Sequence, residues 1–560
     1  MLRWRKEVPL LLGLLITLAV PFVLGSADST APLRYDRRLV ILSPHNEHTR
    51  KEIGRAFAKS WKAKTGETLY LDWRIPGGSS EIAMFLKSEF GSVFQYEWEQ
   101  RLGKSWNHEV ATAFANGRVA PAPGSGGAMS LAAEVRRSFL ESQVSIGVDL
   151  LFGGGSYDFQ QHAEAGFLVA EGRDGRFGTA AVMSRHPDWF SDQVIPARIS
   201  GEPFRDLENR WVGVVLASFG IVYNRDVLRR LDVQRDPAQW VDLADPKLFG
   251  QLALSDPTKS GSVAKAFELI IQQQMYQKVA ELRAHGNLAT ASQQVEAEGV
   301  RQGWLAGLRL IQRISANARY FTDSAAKIPL EVSRGDAAAG MSIDSYGRAT
   351  QEYVRRSDGG SRVGFIAPAG GTSISVDPIG MIRGAPEPEL ATAFIEFVLS
   401  TEGQRLWAYR PGTPGGPIDT ALRRMPVRKD FYSAEHRPYM ADANEQPYLQ
   451  AHPFMYRPEW TGPAFGAIRF LIRIMCADAH REQKHAWRAL IDNGFPPRAM
   501  AVFHDLSQVS YEKALGSISA VLRAKDKVQE IRLARELGDA FRDRYRRAYR
   551  LAVTGDDRHE

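Results

Sequence analysis

Three segments hold the residues with most chemical promise, and they share one form. Each is a hydrophobic run, then a turn rich in glycine and hydroxyls, then the start of a helix. They are Pro76-Gly77-Gly78-Ser79-Ser80, Gly153-Gly154-Gly155-Ser156 and Thr258-Lys259-Ser260-Gly261-Ser262. Such a turn leaves backbone N–H groups unpaired, and glycine lets a ligand approach the chain closely. The helix N-terminus adds about half a positive charge. Ser and Thr hydroxyls there either donate to a ligand or cap the helix. Capping accounts for any one of these turns. Three of them at strand ends in one chain point to a site for an oxyanion.

Other chemistry finds little support. His45-Asn46-Glu47-His48 is not the His-Glu-x-x-His of a zinc hydrolase. Gly103-Lys104-Ser105 has the end of a phosphate loop, but Trp98 stands where its first glycine is required. There is no Gly-x-Ser-x-Gly elbow and no Gly-x-Gly-x-x-Gly after a strand. Cys476 is the only cysteine, which rules out an internal disulfide, a cysteine metal site and a Cys-x-x-Cys redox pair. No nucleophile with an oriented base is evident, so an enzyme is not expected and no cofactor is called for.

The elements that must position these turns are legible. Leu39 to Leu42 reads as a strand, Ser43-Pro44-His45-Asn46 as a turn, and Ile53, Phe57 and Trp61 as one face of a helix. Leu69 to Trp73 is the next strand, which makes a β-α-β unit with parallel strands. In such sheets ligands bind beyond the carboxyl ends of the strands. Further strands are expected at 148–152, 211–216, 221–223, 252–255 and 337–343, with helices from 261 to about 273 and over 292–317. The stretch 90–140 is less regular, and its Pro- and Gly-rich part at 120–127 reads as an insertion loop. From about 465 to 550 the chain looks mostly helical.

The chain has 560 residues, 44% hydrophobic and 24% charged, which is globular rather than disordered or multiply membrane-spanning. The formal charge is +7, of which residues 1–27 carry +2, leaving a mild excess. The densest basic cluster, Arg542, Arg544, Arg546, Arg547 and Arg550, has acidic neighbours and reads as a solvated helix face. No nucleic-acid partner is expected. A basic start, an uncharged apolar run over 8–27 and Gly25-Ser26-Ala27 predict a signal peptide, with an uncleaved anchor as the alternative.

Several stretches, in order from about 38 to 417, carry a family resemblance. They include Ile41-Leu42-Ser43-Pro44-His45, Val148 to Gly155, Ser218-Phe219-Gly220-Ile221-Val222-Tyr223-Asn224, Trp240 to Pro246, Ala253 to Ser262 and Phe397 to Gln404. The most specific is Asp256-Pro257-Thr258-Lys259-Ser260-Gly261-Ser262. The sequence resembles the extracellular solute-binding proteins of ATP-driven (ABC) importers, in the branch of ferric-ion, phosphonate and thiamine binders. The resemblance implies an α/β, two-lobe periplasmic-binding-protein fold (type II) with hinge-crossing strands and a ligand held between the lobes. It also implies an ABC transporter membrane permease as partner, a periplasmic location and a monomer. The expected organisation is a signal segment at 1–27, lobe 1 over 38–212 and lobe 2 over 213–365. A return to lobe 1 over 366–420 and a helical C-terminal extension over 421–560 complete it.

The implied ligand residues are His45, Gly78, Ser79, Ser80, Gly154, Gly155, Ser156, Thr258, Ser260, Gly261, Ser262, Asp344 and Tyr346. Ferric relatives use a His after the first strand and a tyrosine pair at a later helix start. His45 matches the former, and Ser345-Tyr346 holds the place of the pair with one phenol only. Fe(III) favours anionic oxygen, so His45 and Tyr346 as metal ligands would make a weakened site. An organic anion held by the serines is the second reading. A cationic solute such as thiamine or a polyamine, held by Asp72, Glu81 and Asp344 among Trp73 and Tyr157, is the third. An anion or anion-bridged ferric ion is preferred. A membrane-anchored sensor or adaptor is the alternative outside transport.

Overall fold

Short hydrophobic strands ending in glycine turns build two separate sheets. The computed structural model describes residues 34–121, 129–172, 175–285, 292–451, 453–524 and 526–555. The expected signal segment at 1–27 and most of the 120–127 loop lie outside these described residues. Among the described residues no helix is long and apolar enough to cross a membrane.

The first strands are β1 (Arg37–Leu42), β2 (Leu69–Arg74), β3 (Leu150–Phe152) and β4 (Leu168–Val169). A small hairpin, β5 (Arg198–Ile199) with β6 (Glu202–Pro203), precedes β7 (Val212–Ala217) and β8 (Phe219–Asn224). Then come β9 (Leu252–Ser255), β10 (Ala318–Thr322), β11 (Ala339–Ile343) and β12 (Val363–Ile366). The last two are β13 (Ser375–Ile382) and β14 (Met425–Pro426). The first sheet has the order β14-β7-β13-β3-β1-β2, with β4 also on β13, and the second has β10-β9-β11-β8-β12. β1 pairs in parallel with β2 and β3, while β13 runs antiparallel to β3 and β7, so the sheet is mixed. The second sheet is mixed as well, with β8 antiparallel to β11 and β12 and β9 parallel to β10 and β11.

The expected β-α-β unit is present. Its helix, Glu47–Thr65, is capped by the Asn46 side chain accepting from Thr49 N, and it ends at Gly66 in the left-handed region. Ile53, Phe57 and Trp61 face the first core. The stretch 90–140 is more ordered than its sequence suggested. Helices Ser79–Tyr96, His108–Ala115 and Leu131–Glu141 bring Phe90, Phe94, Phe114, Phe139 and Phe167 into one aromatic cluster of the first core. Phe90 and Phe94 sit one helical turn apart, a pattern the neighbouring Pro- and Gly-rich stretch masked. Arg136 is buried in this layer and donates to the carbonyls of Phe114, Glu164 and Ala165 at 3.0–3.2 Å.

The chain passes between the two cores three times. Leu216 belongs to the first and Ala217 to the second, so the first crossing lies a few residues beyond the expected division at 212/213. The return lies between Ile366, packed on the second core, and Ile374 in the first. The third passage was not foreseen. Residues 421–451 stay with the first lobe, where β14 pairs with β7 and Val427 and Ala451 join the core. From Phe454 onward the buried side chains belong to the second core. The helices of this last region include Phe465–Ile472, His480–Asp492, Pro497–Phe503 and Lys527–Thr554. Trp304 Nε1 donates to Val509 O and Trp487 Nε1 to Asn317 Oδ1, both at 2.9 Å, so the region is keyed into the lobe by buried polar contacts.

Burial, with Arg383 adding to the effect, pulls the Arg136 guanidinium down to about 10, and among the described residues no carboxylate pairs with it. Arg136→Met would leave three carbonyls unpaired and should cost about 3 kcal/mol in urea unfolding. Arg137→Met, which removes only an exposed pair with Glu141, should cost less than about 1 kcal/mol.

Candidate binding cleft

Between the lobes lies a cavity of about 1890 Å³. Small-molecule pockets run to roughly 1,000 Å³, so this space is wide for a single ion. The carboxyl ends of β2, β3 and β9 all lead into it. Helices Ser79–Tyr96, Ser156–Glu164 and Gly261–His285 begin there, and their first residues line it. A Cβ built on Gly261 would lie 3.2 Å from Ser79 Oγ, and one on Gly78 would lie 2.8 Å from the Lys259 carbonyl. Turns from opposite lobes therefore touch across the cleft.

Nine of the thirteen expected residues line this space: His45, Gly78, Ser79, Gly154, Gly155, Ser156, Ser260, Gly261 and Ser262. Four do not. Ser80 Oγ donates to Glu81 at 2.8 Å, and Thr258 folds back on Asp256 through its N and Oγ1, both at 2.7 Å. Asp344 is fully buried, with Arg348 on its carboxylate at 2.8 Å. Tyr346 hydrogen-bonds Asn46 and sits among Arg424 and Asp377, with burial raising its phenol above the usual range. Ser260 Oγ accepts from Val263 N, so here the cap and the cleft-lining role coincide.

His45 is only 7% exposed, with its ring 4.7 Å from Phe152 and 5.8 Å from Trp407. Its Nε2 has no hydrogen-bond partner and lies beneath Gly153, where a Cβ would come within 2.5 Å of it. Gly153 also has φ +91, so no other residue fits this turn without strain. Burial, aided by Arg424 and Arg50, pulls the imidazole down to about 3, and the ring stays neutral. Among the described residues no three His, Cys, Asp or Glu side chains come together in a metal-holding group.

Neither partner proposed for a cationic solute faces the cleft from β2. Asp72 pairs with Arg74 at 2.8 Å and with Arg38, and Trp73 packs on Phe152 and Phe394. Glu81 lines the cavity but is held by Lys259 from the other lobe at 2.9 Å. Burial raises its pKa, and the bonds from Lys259 and Ser80 outweigh this and leave it low. Tyr157 does line the space, its ring 4.4 Å from that of Phe465.

Sequence reasoning missed most of the charged lining. Lys265 is enclosed by Glu202 of the β5–β6 hairpin and Glu268 of its own helix, both at 2.9 Å. Tyr456 and Thr461 donate to Glu268 at 2.8 and 2.6 Å, and Ser373 of the return crossing donates to Glu202. Burial works against the ammonium, but the two carboxylates more than overcome it and hold its pKa above the usual range. Arg469, of the last helical region, reaches Asp158 at 3.2 Å. Every carboxylate of the lining has such a cation within 4 Å. The arginines differ. Arg50 donates to the His45 carbonyl and Arg205 lies over the Phe190 ring, and these two and Arg198 have no carboxylate within 4 Å among the described residues, Glu47 acting on Arg50 from farther off. Arg50 follows His45 by five residues and was open to a local reading. The others come from distant segments and carry no local signal.

Residues 155–430, just under half of the chain, match the family model described as a bacterial extracellular solute-binding protein. The chain is 22% identical over 204 residues to the phosphoglycerate transport regulatory protein PgtC of Salmonella typhimurium (strain LT2), covering 36% of this chain and 42% of that one. It spans 42% to 60% of the length of the curated relatives it matches. Among solved structures, the periplasmic binding protein AfuA from Actinobacillus pleuropneumoniae, with fructose-6-phosphate bound, is 17% identical with a TM-score of 0.41. That likeness covers 70% of this chain and 86% of AfuA. Iron-bound HitA from Pseudomonas aeruginosa is 14% identical with a TM-score of 0.43, covering 78% and 99%. The matched segment includes strands of both sheets, and the fold is a two-lobed α/β arrangement of two mixed sheets with a helical C-terminal region.

Proposed function

We propose that this protein is the solute-binding component of an importer, capturing a small organic anion between its lobes and passing it to a membrane permease. The observation that carries the reading is that Arg50, Arg198 and Arg205 line the cleft with no carboxylate within 4 Å among the described residues, while Lys265 and Arg210 are each shared by two lining carboxylates. Three helix N-termini with Ser79, Ser156 and Ser260 converge on the same space and favour the same sign of charge. A phosphorylated acid or sugar, or a phosphonate, fits this chemistry and the breadth of the cavity. The match of 155–430 to extracellular solute-binding proteins and the likeness to a phosphoglycerate transport protein support a transport role outside the cytoplasm.

Ferric ion is the weaker reading. The His45 Nε2 is shut beneath Gly153, and Tyr346 is turned to Asn46 outside the lining. A cationic solute is weaker still, because the acids assigned to it already have basic partners.

A thermal-shift comparison of 3-phosphoglycerate, fructose 6-phosphate, Fe(III) citrate, thiamine and spermidine tests this, since a ligand of the native state raises its melting point. Stabilisation by a phosphorylated compound is expected, and Arg50→Gln should weaken its binding about tenfold or more. Stabilisation by thiamine or spermidine, with none by the anions, would refute it.

Because the His45 pKa lies near 3, its imidazole should show no protonation by NMR between about pH 5 and 8. The second ionisation of the ligand's phosphate, near pH 6, would then not be overlaid by a titration of this ring. A His45 titration near 6.5 would show that the ring is open to water and would contradict the geometry.

A further inference from the structure

The helical region after residue 453 is outside the matched segment, yet it reaches the cleft. Its Tyr456 and Phe465 line the cavity, and Phe465 lies against Tyr157 of the first lobe. From the Phe465–Ile472 helix, Arg469 makes three contacts with two lobes. Nε donates to Pro257 O at 3.0 Å and Nη2 to Thr258 O at 3.0 Å, both in the second lobe. Nη1 meets Asp158 Oδ1, at the start of a first-lobe helix, at 3.2 Å. Both partners of that ion pair have side chains only 14% exposed, so solvent screens the pair weakly.

The region itself is fixed to the second lobe. Phe470, Leu471, Trp487 and Tyr545 are part of that core. A body rigid with one lobe and bonded to the other through a largely buried charge pair restrains their relative motion.

We propose that Arg469 is a positioning residue that latches the two lobes together, making the C-terminal helical region the third wall of the cleft. The proposal rests on the reading of this cleft as the solute site, and it names what regulates access to it. The lobes part only when the Arg469–Asp158 contact opens together with the Glu81–Lys259 ion pair that also spans them. The guanidinium, bonded to the Pro257 and Thr258 carbonyls of the Asp256–Ser260 turn, also holds that turn in place for the ligand.

The test needs no solute. Nitroxide labels at Lys59→Cys, exposed in the first lobe, and Gln351→Cys, exposed in the second, report the separation of the lobes by double electron–electron resonance. The native Cys476 is buried, with its thiol pushed up to about 12, so it stays unlabelled. The unsubstituted latch should give one narrow distance. Arg469→Gln and Asp158→Asn should each raise the population of longer distances about tenfold, and the double variant should add nothing further. Arg469→Lys, which keeps the charge but not the three-way fork, should fall between. An unchanged distribution in folded Arg469→Gln overturns the latch. If that variant does not fold, Asp158→Asn on the opposite lobe decides by the same criterion. A protein that binds no anion but opens on Arg469→Gln would keep the latch and lose the solute reading.

Discussion

Lys265 is a cation at the back of the cleft, its side chain only 13% exposed, and it is stable there only while Glu202 and Glu268 remain beside it. Those carboxylates come from different parts of the chain. Glu202 belongs to the hairpin that precedes the first crossing, and Ser373 of the return crossing donates to it. Glu268 is shared with Tyr456 and Thr461, which follow the third crossing. One buried charge cluster thus ties all three connections together. Losing any member would strand the others in a low dielectric, where an unpaired charge is far costlier than a surface one. The hairpin is held further by Tyr456 N donating to Ser200 O at 2.7 Å. The cleft in front of this cluster is accordingly built on a stiff back.

What the sequence discloses about this site is the part written locally. Gly78-Ser79, Gly153 to Ser156 and Ser260 to Ser262 announce themselves because a turn between a strand and a helix needs those residue types whatever lies nearby. The fold class is legible for the same reason: alternating strand and helix patterns fix a β-α-β start. The family resemblance points to Asp344 and Tyr346, yet Asp344 is claimed by Arg348 four residues on, and Tyr346 by Asn46. Local position does not tell which way a side chain turns. Glu202, Lys265, Tyr456 and Arg469 lie far apart in sequence, and only the packing of whole lobes brings them to one cavity.

The basic cluster over 542–550 shows the converse. Arg542 and Arg546 pair with Asp539 and with Asp543 and Glu482, while Arg544 reaches Asp505. These charges dress the outside of a helix whose inner face, through Phe541, Tyr545 and Ala548, completes the second core. The run reads in sequence as a solvated helix face, and in three dimensions it is one, with Arg542, Arg544 and Arg546 paired to acids on the same helix and its neighbours.

The position of β13 has a consequence for how the molecule comes into being. It lies between β7 and β3 in the first sheet, so the middle of that sheet is missing until residues 375–382 have been made. The second core likewise waits for side chains as late as Leu551 and Ala552. The first lobe cannot reach its final packing before about residue 451 has been made, nor the second before residue 552. Contacts this distant along the backbone form slowly. A growing polypeptide of this design stays loose for most of its synthesis, the state in which a chain can still be threaded through a narrow pore.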